Sequence, residues 1–238
     1  MLLRVLTWNL MHGRSVPGAG RDLSDEFASA LAGWEWDVAL LQEVPPWWPR
    51  ALSDRLGAEY RQVLTSRNGL LVARRAIATR RPDLIKSNGG GANAILVRRD
   101  RIAAHRRRRL AWVPERRVAH GVLLGCGIWV VNLHATAGNP VAAQRDGRLA
   151  AAAAEAWAAG GPAVLSGDFN LRGHELEIRE TGWRHIAERD VDHILVNSEL
   201  EAAGASEVLD RGALSDHPPL AVTVRRPDPR PSGEPSAG

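Results

Sequence analysis

Eight residues stand out because they are polar or charged in stretches where a plain core or an ordinary turn would use other types: Asn9, Glu43, His134, Asp168, Asn170, Asp192, Asp216 and His217. Such groups cost free energy when buried unless they are paired or bound to a metal. Their types suit one kind of chemistry. A carboxylate such as Glu43, ionised at neutral pH, is a hard oxygen ligand for Mg²⁺, which takes one or two carboxylates together with waters and a phosphate oxygen. The imidazoles of His134 and His217 and the carboxamide of Asn170 can donate hydrogen bonds to oxygens that gain negative charge. Singly, each has a plain structural use: an Asn or Asp at a strand end satisfies a turn, and a lone histidine fills a hydrogen-bonded niche.

The elements that must hold these residues follow from the apolar runs. Leu2 to Leu10 reads as a buried strand ended by His12 and Gly13, with Asn9 at its end. Ser24 is expected to cap a helix running to Ala32. Asp37 to Leu41 is the next buried strand, delivering Glu43 just past its last apolar residue, and Pro46 to Leu56 is a surface helix stopped by Gly57. Further strands are expected at Tyr60 to Leu64, Gly69 to Arg74, Asn93 to Arg98, Gly121 to Leu124 and Ile128 to Leu133. Asn139 and Pro140 open an alanine-rich helix to Ala159, closed by Gly160, Gly161 and Pro162. Ala163 to Ser166, Val191 to Val196 and Leu220 to Val224 complete the strands. Strands outnumber helices, and hairpins mix with helical crossovers, so the expected fold is an α/β layered sandwich with mixed sheets. All eight polar residues fall at or beside strand ends.

The same residues sit in six short stretches in a fixed order. These are Thr-Trp-Asn-Leu at 7–10, Leu-Gln-Glu-Val at 41–44, Asn-Leu-His at 132–134, Ser-Gly-Asp-Phe-Asn at 166–170, Val-Asp-His-Ile-Leu-Val at 191–196 and Ser-Asp-His-Pro-Pro-Leu at 215–220. The series resembles the endonuclease/exonuclease/phosphatase superfamily, of deoxyribonuclease I-like fold, along nearly the whole chain; Gly-Asp-Phe-Asn and Ser-Asp-His are its most specific elements. The resemblance implies a four-layered α/β sandwich, two mixed, mostly antiparallel sheets flanked by helices, with the site at one end. It also implies Mg²⁺-dependent hydrolysis of a phosphate ester by an activated water. On that basis Asn9 and Glu43 serve the metal and Asp216 adds a metal ligand. Asp168 activates or orients the water, Asn170 donates to the pentavalent centre, and His217 and His134 donate to phosphoryl oxygens. The resemblance makes Asp192 the partner of His217, holding its tautomer and raising its pKa. Mn²⁺ would support the same oxygen-ligand geometry. His193 is expected to point away from the site and be structural, as are His12, His105, His120, His174 and His185, whereas Asn132 is expected to support the site.

Composition bounds the rest. With 238 residues, 45% of them hydrophobic, the chain can bury a large core. We read residues 1–225 as one domain and 226–238, rich in Pro, Gly and Ser, as a disordered tail. The net charge of +4 is carried almost wholly by arginine, Lys86 being the single lysine, and arginine suits bidentate phosphate contacts. Arg106 to Arg109 is the densest run, open to reading as an exposed edge or as a phosphate-facing surface. Cys126 is the lone cysteine, so no intramolecular disulfide exists, and a reducing cytoplasm is the expected compartment. No apolar run reaches membrane-spanning length, so no stable membrane association is expected. Asn88 to Asn93 reads as a mobile glycine-rich loop that matches neither a P-loop nor a dinucleotide fingerprint. Of the nine tryptophans, Trp34, Trp36, Trp47, Trp48 and Trp112 are candidates for partly exposed surface.

Nucleic acid is the favoured phosphate-ester substrate. Within the superfamily, abasic-site endonucleases tend to carry a tyrosine where this chain has His134 and an acidic residue where it has Met11, which argues against that branch. The alternatives are a small-molecule or lipid phosphodiesterase and, from another class, a noncatalytic phosphate-binding module, which would be expected to lack at least one of Glu43, Asp168 or His217. An arginine stripe from Arg74, Arg75 and Arg106 to Arg109 toward the site would favour nucleic acid. Oligomeric state is left open by the sequence.

Overall fold

A computed structural model describes residues 1–65, 70–80, 91–113, 115–178 and 182–227. In chain order its strands are β1 (Leu2–Asn9), β2 (Val38–Val44), β3 (Glu59–Leu64), β4 (Ala92–Val97), β5 (Ile102–Ala111), β6 (Arg117–Leu124), β7 (Trp129–His134), β8 (Ala163–Asp168), β9 (Arg184–Arg189), β10 (Asp192–Val196), β11 (Glu201–Ala202), β12 (Glu207–Val208) and β13 (Leu220–Arg225). The helices are α1 (Ser24–Gly33), α2 (Trp48–Leu56), α3 (Leu71–Arg80) and α4 (Pro140–Ala158). A seven-stranded sheet runs β11-β13-β1-β2-β4-β3, with β12 also on β13, and a six-stranded sheet runs β5-β6-β7-β8-β10-β9. Only β1 with β2 and β7 with β8 pair in parallel, so both sheets are mixed and mostly antiparallel.

Three apolar layers glue the stack. Between the sheets lie Leu3, Val5, Val38, Leu40, Ile95, Val122, Val130, Val164, Ile194 and Val222. Outside the first sheet, Leu6, Trp8, Leu41 and Ala221 pack on Phe27, Leu31, Trp48 and Leu52 of α1 and α2. Outside the second, Val131, Leu133, Leu165 and Leu195 pack on Ala143, Ala150, Ala151 and Ala154 of α4. The result is the four-layered α/β sandwich the sequence implied, helix on sheet on sheet on helix. Strand periodicity explains the division: Leu3 and Val5 face inward while Leu6 and Trp8 face the helices. The small alanines of α4 let that helix lie close to its sheet, and Asn139 caps it, its Oδ1 accepting from the Ala142 N–H at 3.0 Å.

Several local expectations need correction. The strand expected over Gly69 to Arg74 is not one, since Leu71–Arg80 forms α3. Its Ala and Arg content favours a helix, and a helix satisfies its own backbone where no neighbouring strand is at hand. Ser24 is not a cap but the first residue of α1, and its N–H donates to Asp22 Oδ1 at 2.7 Å. Of the five tryptophans expected to be partly exposed, Trp34 and Trp47 are half-buried and Trp112 is exposed at 63%, whereas Trp36 and Trp48 are buried in the layer under α1 and α2. The strands β5 and β9 and the start of β6 were not anticipated. Residues 228–238 of the expected tail and 88–90 of the expected loop lie outside the described residues.

Candidate active site

The inner face of each central strand turns polar at one end of the sandwich. Asn9 is the last residue of β1, His134 of β7 and Asp168 of β8, and Asp192 is the first of β10. His134 is in register with Asp168, and Asp168 with Asp192, so these three side chains lie side by side across the second sheet. Glu43 arrives by a different route. After Leu40 and Gln42, strict alternation would send it outward with Leu41. The pairing of β2 with β4 slips between Leu41 and Val44, and Glu43 takes φ 49°, so a bulge turns its carboxylate into the cleft. Asn170 (φ 52°) and Ser215 (φ 60°) share this left-handed backbone, which non-glycine residues adopt only where the surroundings enforce it. The segment 215–217 bends rather than extends, which brings the adjacent Asp216 and His217 into the same cleft.

The cleft encloses 370 Å³ and is lined by Asn9, Glu43, His134, Asp168, Asn170, Asp216 and His217, with Glu115 and Arg117 on one wall. Asp168 is its centre. Its Oδ2 accepts from Asn9 Nδ2 at 2.9 Å and its Oδ1 from the Asn170 N–H at 2.9 Å. His134 Nε2 and His217 Nε2 approach the same Oδ2 at 3.6 and 4.0 Å. Behind it His217 Nδ1 meets Asp192 Oδ2 at 2.7 Å, while Asp192 Oδ1 is buried without a partner among the described residues. Ser215 ties the last motif to the first: its Oγ donates to the Asn9 carbonyl at 2.6 Å and accepts from the His217 N–H at 3.1 Å. Trp8 Nε1 donates to the His217 carbonyl at 2.9 Å.

Electrostatics divide these groups into opposed states. Burial, reinforced by the charge of Asp192, raises the Asp168 carboxyl to about 7. Burial also raises Asp192. It would likewise lower His217, but the Asp192 hydrogen bond and the charges of Asp192, Asp168 and Asp216 outweigh it and lift His217 to about 9. His134 is driven well below the ordinary histidine range by burial and by Arg117, His12 and His217, so it is neutral. One imidazole is therefore a cation and the other a neutral donor.

All eight sequence-selected residues converge on this end of the sandwich; Asp192 is reached through His217 and does not itself line the cleft. Three cleft neighbours were not anticipated. His12, expected to be structural, places Nε2 3.0 Å from Glu43 Oε2, carried there by left-handed φ values at Met11 and His12. Arg117 and Glu115 pair at 2.9 Å on the cleft wall. The signal for Arg117 lay in the alternation running back from Gly121 through Val118, which marks the strand as longer than its apolar end. His193 faces the other way, its Nε2 2.6 Å from the Leu171 carbonyl and its Nδ1 2.9 Å from His185 Nε2.

A sequence model described as the Endonuclease/Exonuclease/phosphatase family matches residues 6–217, a span that takes in the first five motifs of the cleft and ends at His217 within the last. The chain belongs to this family. As an endonuclease/exonuclease/phosphatase protein it is a phosphoesterase by family, and the family is generally dependent on divalent metals. Solved structures agree on the fold. The endonuclease/exonuclease/phosphatase from Beutenbergia cavernae superposes with TM-score 0.72 at 20% identity, covering 94% of this chain and 72% of that one. The human Nocturnin catalytic domain with bound sulfate gives 0.70 at 18%, covering 95% of each chain. The mannosyl-6-phosphatase Bt3783 of Bacteroides thetaiotaomicron gives 0.69 at 17%, covering 94% of this chain and 99% of that one. Identities this low carry the fold and not the substrate. A comparison with curated protein sequences gives no match. No helix among the described residues is long and apolar enough to cross a membrane.

The donor set fits a divalent cation. Glu43, Glu115, Asp168 and Asp216 bring carboxylates to a cleft whose one guanidinium, Arg117, is already paired. Burial, reinforced by the Asp192 charge, raises Asp168 beside the other three carboxylates, a condition that a bound cation would relieve. Oxygen donors of this kind suit Mg²⁺ or Mn²⁺.

Proposed function

We propose that this protein is a Mg²⁺-dependent phosphodiesterase that cleaves nucleic acid by attack of an activated water, with Mn²⁺ able to substitute. The observation that carries the reading is Asp168, fixed on both oxygens by Asn9 and the Asn170 N–H and approached by His217. Glu43 and Asp216, with Asn9 in support, would hold the metal, which supplies charge neutralisation at the phosphate. Asp168 takes the proton of the attacking water, a role worth about 10²–10⁴ in rate. His217, kept protonated by Asp192, and neutral His134 donate to the phosphoryl oxygens as negative charge builds on them. The Asn170 amide, which donates to the Ala135 carbonyl at 3.1 Å, lies beside them. Arg107 and Arg109 of β5, on the face of that strand that lines a groove, support nucleic acid over a small ester as substrate, and a reducing cytoplasm remains the compartment we favour.

The test compares wild type with Asp168→Ala and His217→Ala on plasmid DNA, abasic-site duplex, RNA and bis(p-nitrophenyl) phosphate, each with Mg²⁺ or EDTA. Metal-dependent cleavage of nucleic acid, reduced about 10³-fold in both variants, is the expected result. Turnover of the small diester with no cleavage of nucleic acid would replace the substrate by a small or lipid ester. Inactivity on every ester would leave a phosphate-binding module.

A further inference from the structure

The run Arg106 to Arg109 divides between two faces of β5. Arg107 stands opposite His120 and Arg109 opposite Val118, both of β6. These two arginines, with Arg116, line a groove of 610 Å³ whose other walls are Gln62, Val63, Leu64 and Val118. Arg106 turns to the helix side, its guanidinium over Trp129. The groove thus opens between β3 and β5, the edge strands of the two sheets.

No carboxylate lines this groove among the described residues. Among the described residues Arg107 and Arg109 form no ion pair there, and Arg116 donates to the Leu64 carbonyl while its Nε is buried with no described partner. Three guanidiniums gathered with no counter-carboxylate repel one another unless an anion joins them. Arginine's fork matches phosphate oxygens in particular. At the rim, Arg109 lies 4.0 Å over the ring of Trp112, the indole exposed at 63%. An exposed indole stacked on a guanidinium offers a flat face to an unpaired base.

The groove adjoins the cleft through two segments. Arg116 lines the groove, while Glu115 and Arg117 on either side of it line the cleft. Leu64 lines the groove, and a Cβ placed on Gly91 would meet both Thr65 and His12 at 3.4 Å, so the chain just after Leu64 lies near the histidine that touches Glu43.

We propose that this groove binds the backbone of single-stranded nucleic acid flanking the scissile phosphodiester, with Arg107, Arg109 and Arg116 on successive phosphates and Trp112 under an unpaired base. The proposal rests on the nucleic-acid reading of the cleft and names the form of substrate it takes. It is tested with Arg107→Gln/Arg109→Gln and Trp112→Ala, none of them in the cleft. A short labelled single strand, a duplex of the same sequence and pyrophosphate are titrated in EDTA, and hydrolysis of bis(p-nitrophenyl) phosphate is followed with Mg²⁺. The double arginine variant should bind the single strand about ten-fold more weakly and flatten its log K against log salt slope by about 1.4. Trp112→Ala should weaken the single strand about ten-fold without changing that slope. Both should keep kcat/KM on the small diester within about two-fold of wild type.

Unchanged single-strand affinity in the double variant overturns the groove, as do equal losses for duplex and single strand. A loss confined to pyrophosphate overturns it in favour of a small-anion site. Should wild type hydrolyse no ester while these binding differences hold, the catalytic reading fails and the groove stands. Should wild type cleave nucleic acid while the variants bind as wild type does, the groove fails and the catalytic reading stands.

Discussion

The strands β1, β2, β7, β8 and β10 each run the length of the intersheet layer, and each changes character along the way. At one end their inward side chains are Leu3, Val5, Val38, Leu40, Val130, Val164 and Val196. At the other, the same faces continue as Asn9, Gln42, His134, Asp168 and Asp192, all buried. The apolar end needs only close packing. The polar end needs every group answered, and it leaves Gln42 Oε1 and Asp192 Oδ1 without partners among the described residues. The difference teaches a division of labour: the apolar half fixes strand register, and that register sets Asp168 beside His134 and Asp192 at no further conformational expense.

Substitutions at the two ends should separate activity from stability. Asp168→Ala, expected to lower turnover about 10³-fold, should change unfolding in EDTA by less than about 2 kcal/mol, because losing a buried carboxylate offsets the donors of Asn9 and Asn170 that it leaves unmatched. Leu40→Ala, in the dry half, should cost about 2–5 kcal/mol in urea unfolding while the folded fraction keeps its kcat. A Leu40→Ala protein that stayed folded yet lost turnover would mean the two halves are not separable in this way.

Asn132 sits at the boundary between them. Its Nδ2 donates to the carbonyls of Leu41 and Ala94 at 3.0 and 2.9 Å, and its Oδ1 accepts from Gln42 Nε2 at 2.8 Å, so one carboxamide of the second sheet clamps two strands of the first. Gln42 precedes Glu43, so the clamp also steadies the bulge that turns the Glu43 carboxylate into the cleft. Asn132→Ala strands buried acceptors and should cost about 2–3 kcal/mol. Unlike Leu40→Ala, it should also lower kcat, by about ten-fold. If thermal unfolding shifts with no change in kcat, the residue belongs to the scaffold alone.

What could be read beforehand follows the same contrast. Asn9, His134, Asp168 and Asp192 were legible because each interrupts or ends an apolar run, and a buried strand announces its polar exceptions. Asn132 was legible for the same reason. Strands β5 and β9 were not, since Arg106 to Arg109 and Arg184 to Arg189 lie on sheet edges and need no apolar alternation. The helix over Leu71–Arg80 was missed because its apolar residues do not repeat at helical spacing; Val72 and Ile77 are exposed. His12 was hidden by its turn, for only the backbone angles at Met11 and His12 aim it at Glu43. Arg117 was only faintly marked, by the alternation that runs back through Val118 to a strand start carrying few apolar residues.

How far the dry region extends toward the β5 edge is set by His120, which faces inward at the level of Asn132. It is fully buried, meets His105 across 3.3 Å, and is pushed down to about 3 by burial and then by His105. Its folded pKa lies below the unfolded value of about 6.5, so neutral His120 carries no penalty above that pH. As pH falls from 6.5 toward 3, the unfolded chain takes up a proton that the folded one refuses, and stability drops. Between pH 7 and 5 this amounts to at most about 2 kcal/mol. His120→Leu should remove that share, so the stability of the variant relative to wild type should rise by up to about 2 kcal/mol between pH 7 and pH 5, read from urea midpoints at the two pH values. An imidazole found by NMR to titrate near its ordinary value would mean that water reaches between the sheets at this edge. The boundary between the dry and polar halves would then lie inward of β6, and the groove beside Arg107 would be continuous with solvent that already hydrates the layer.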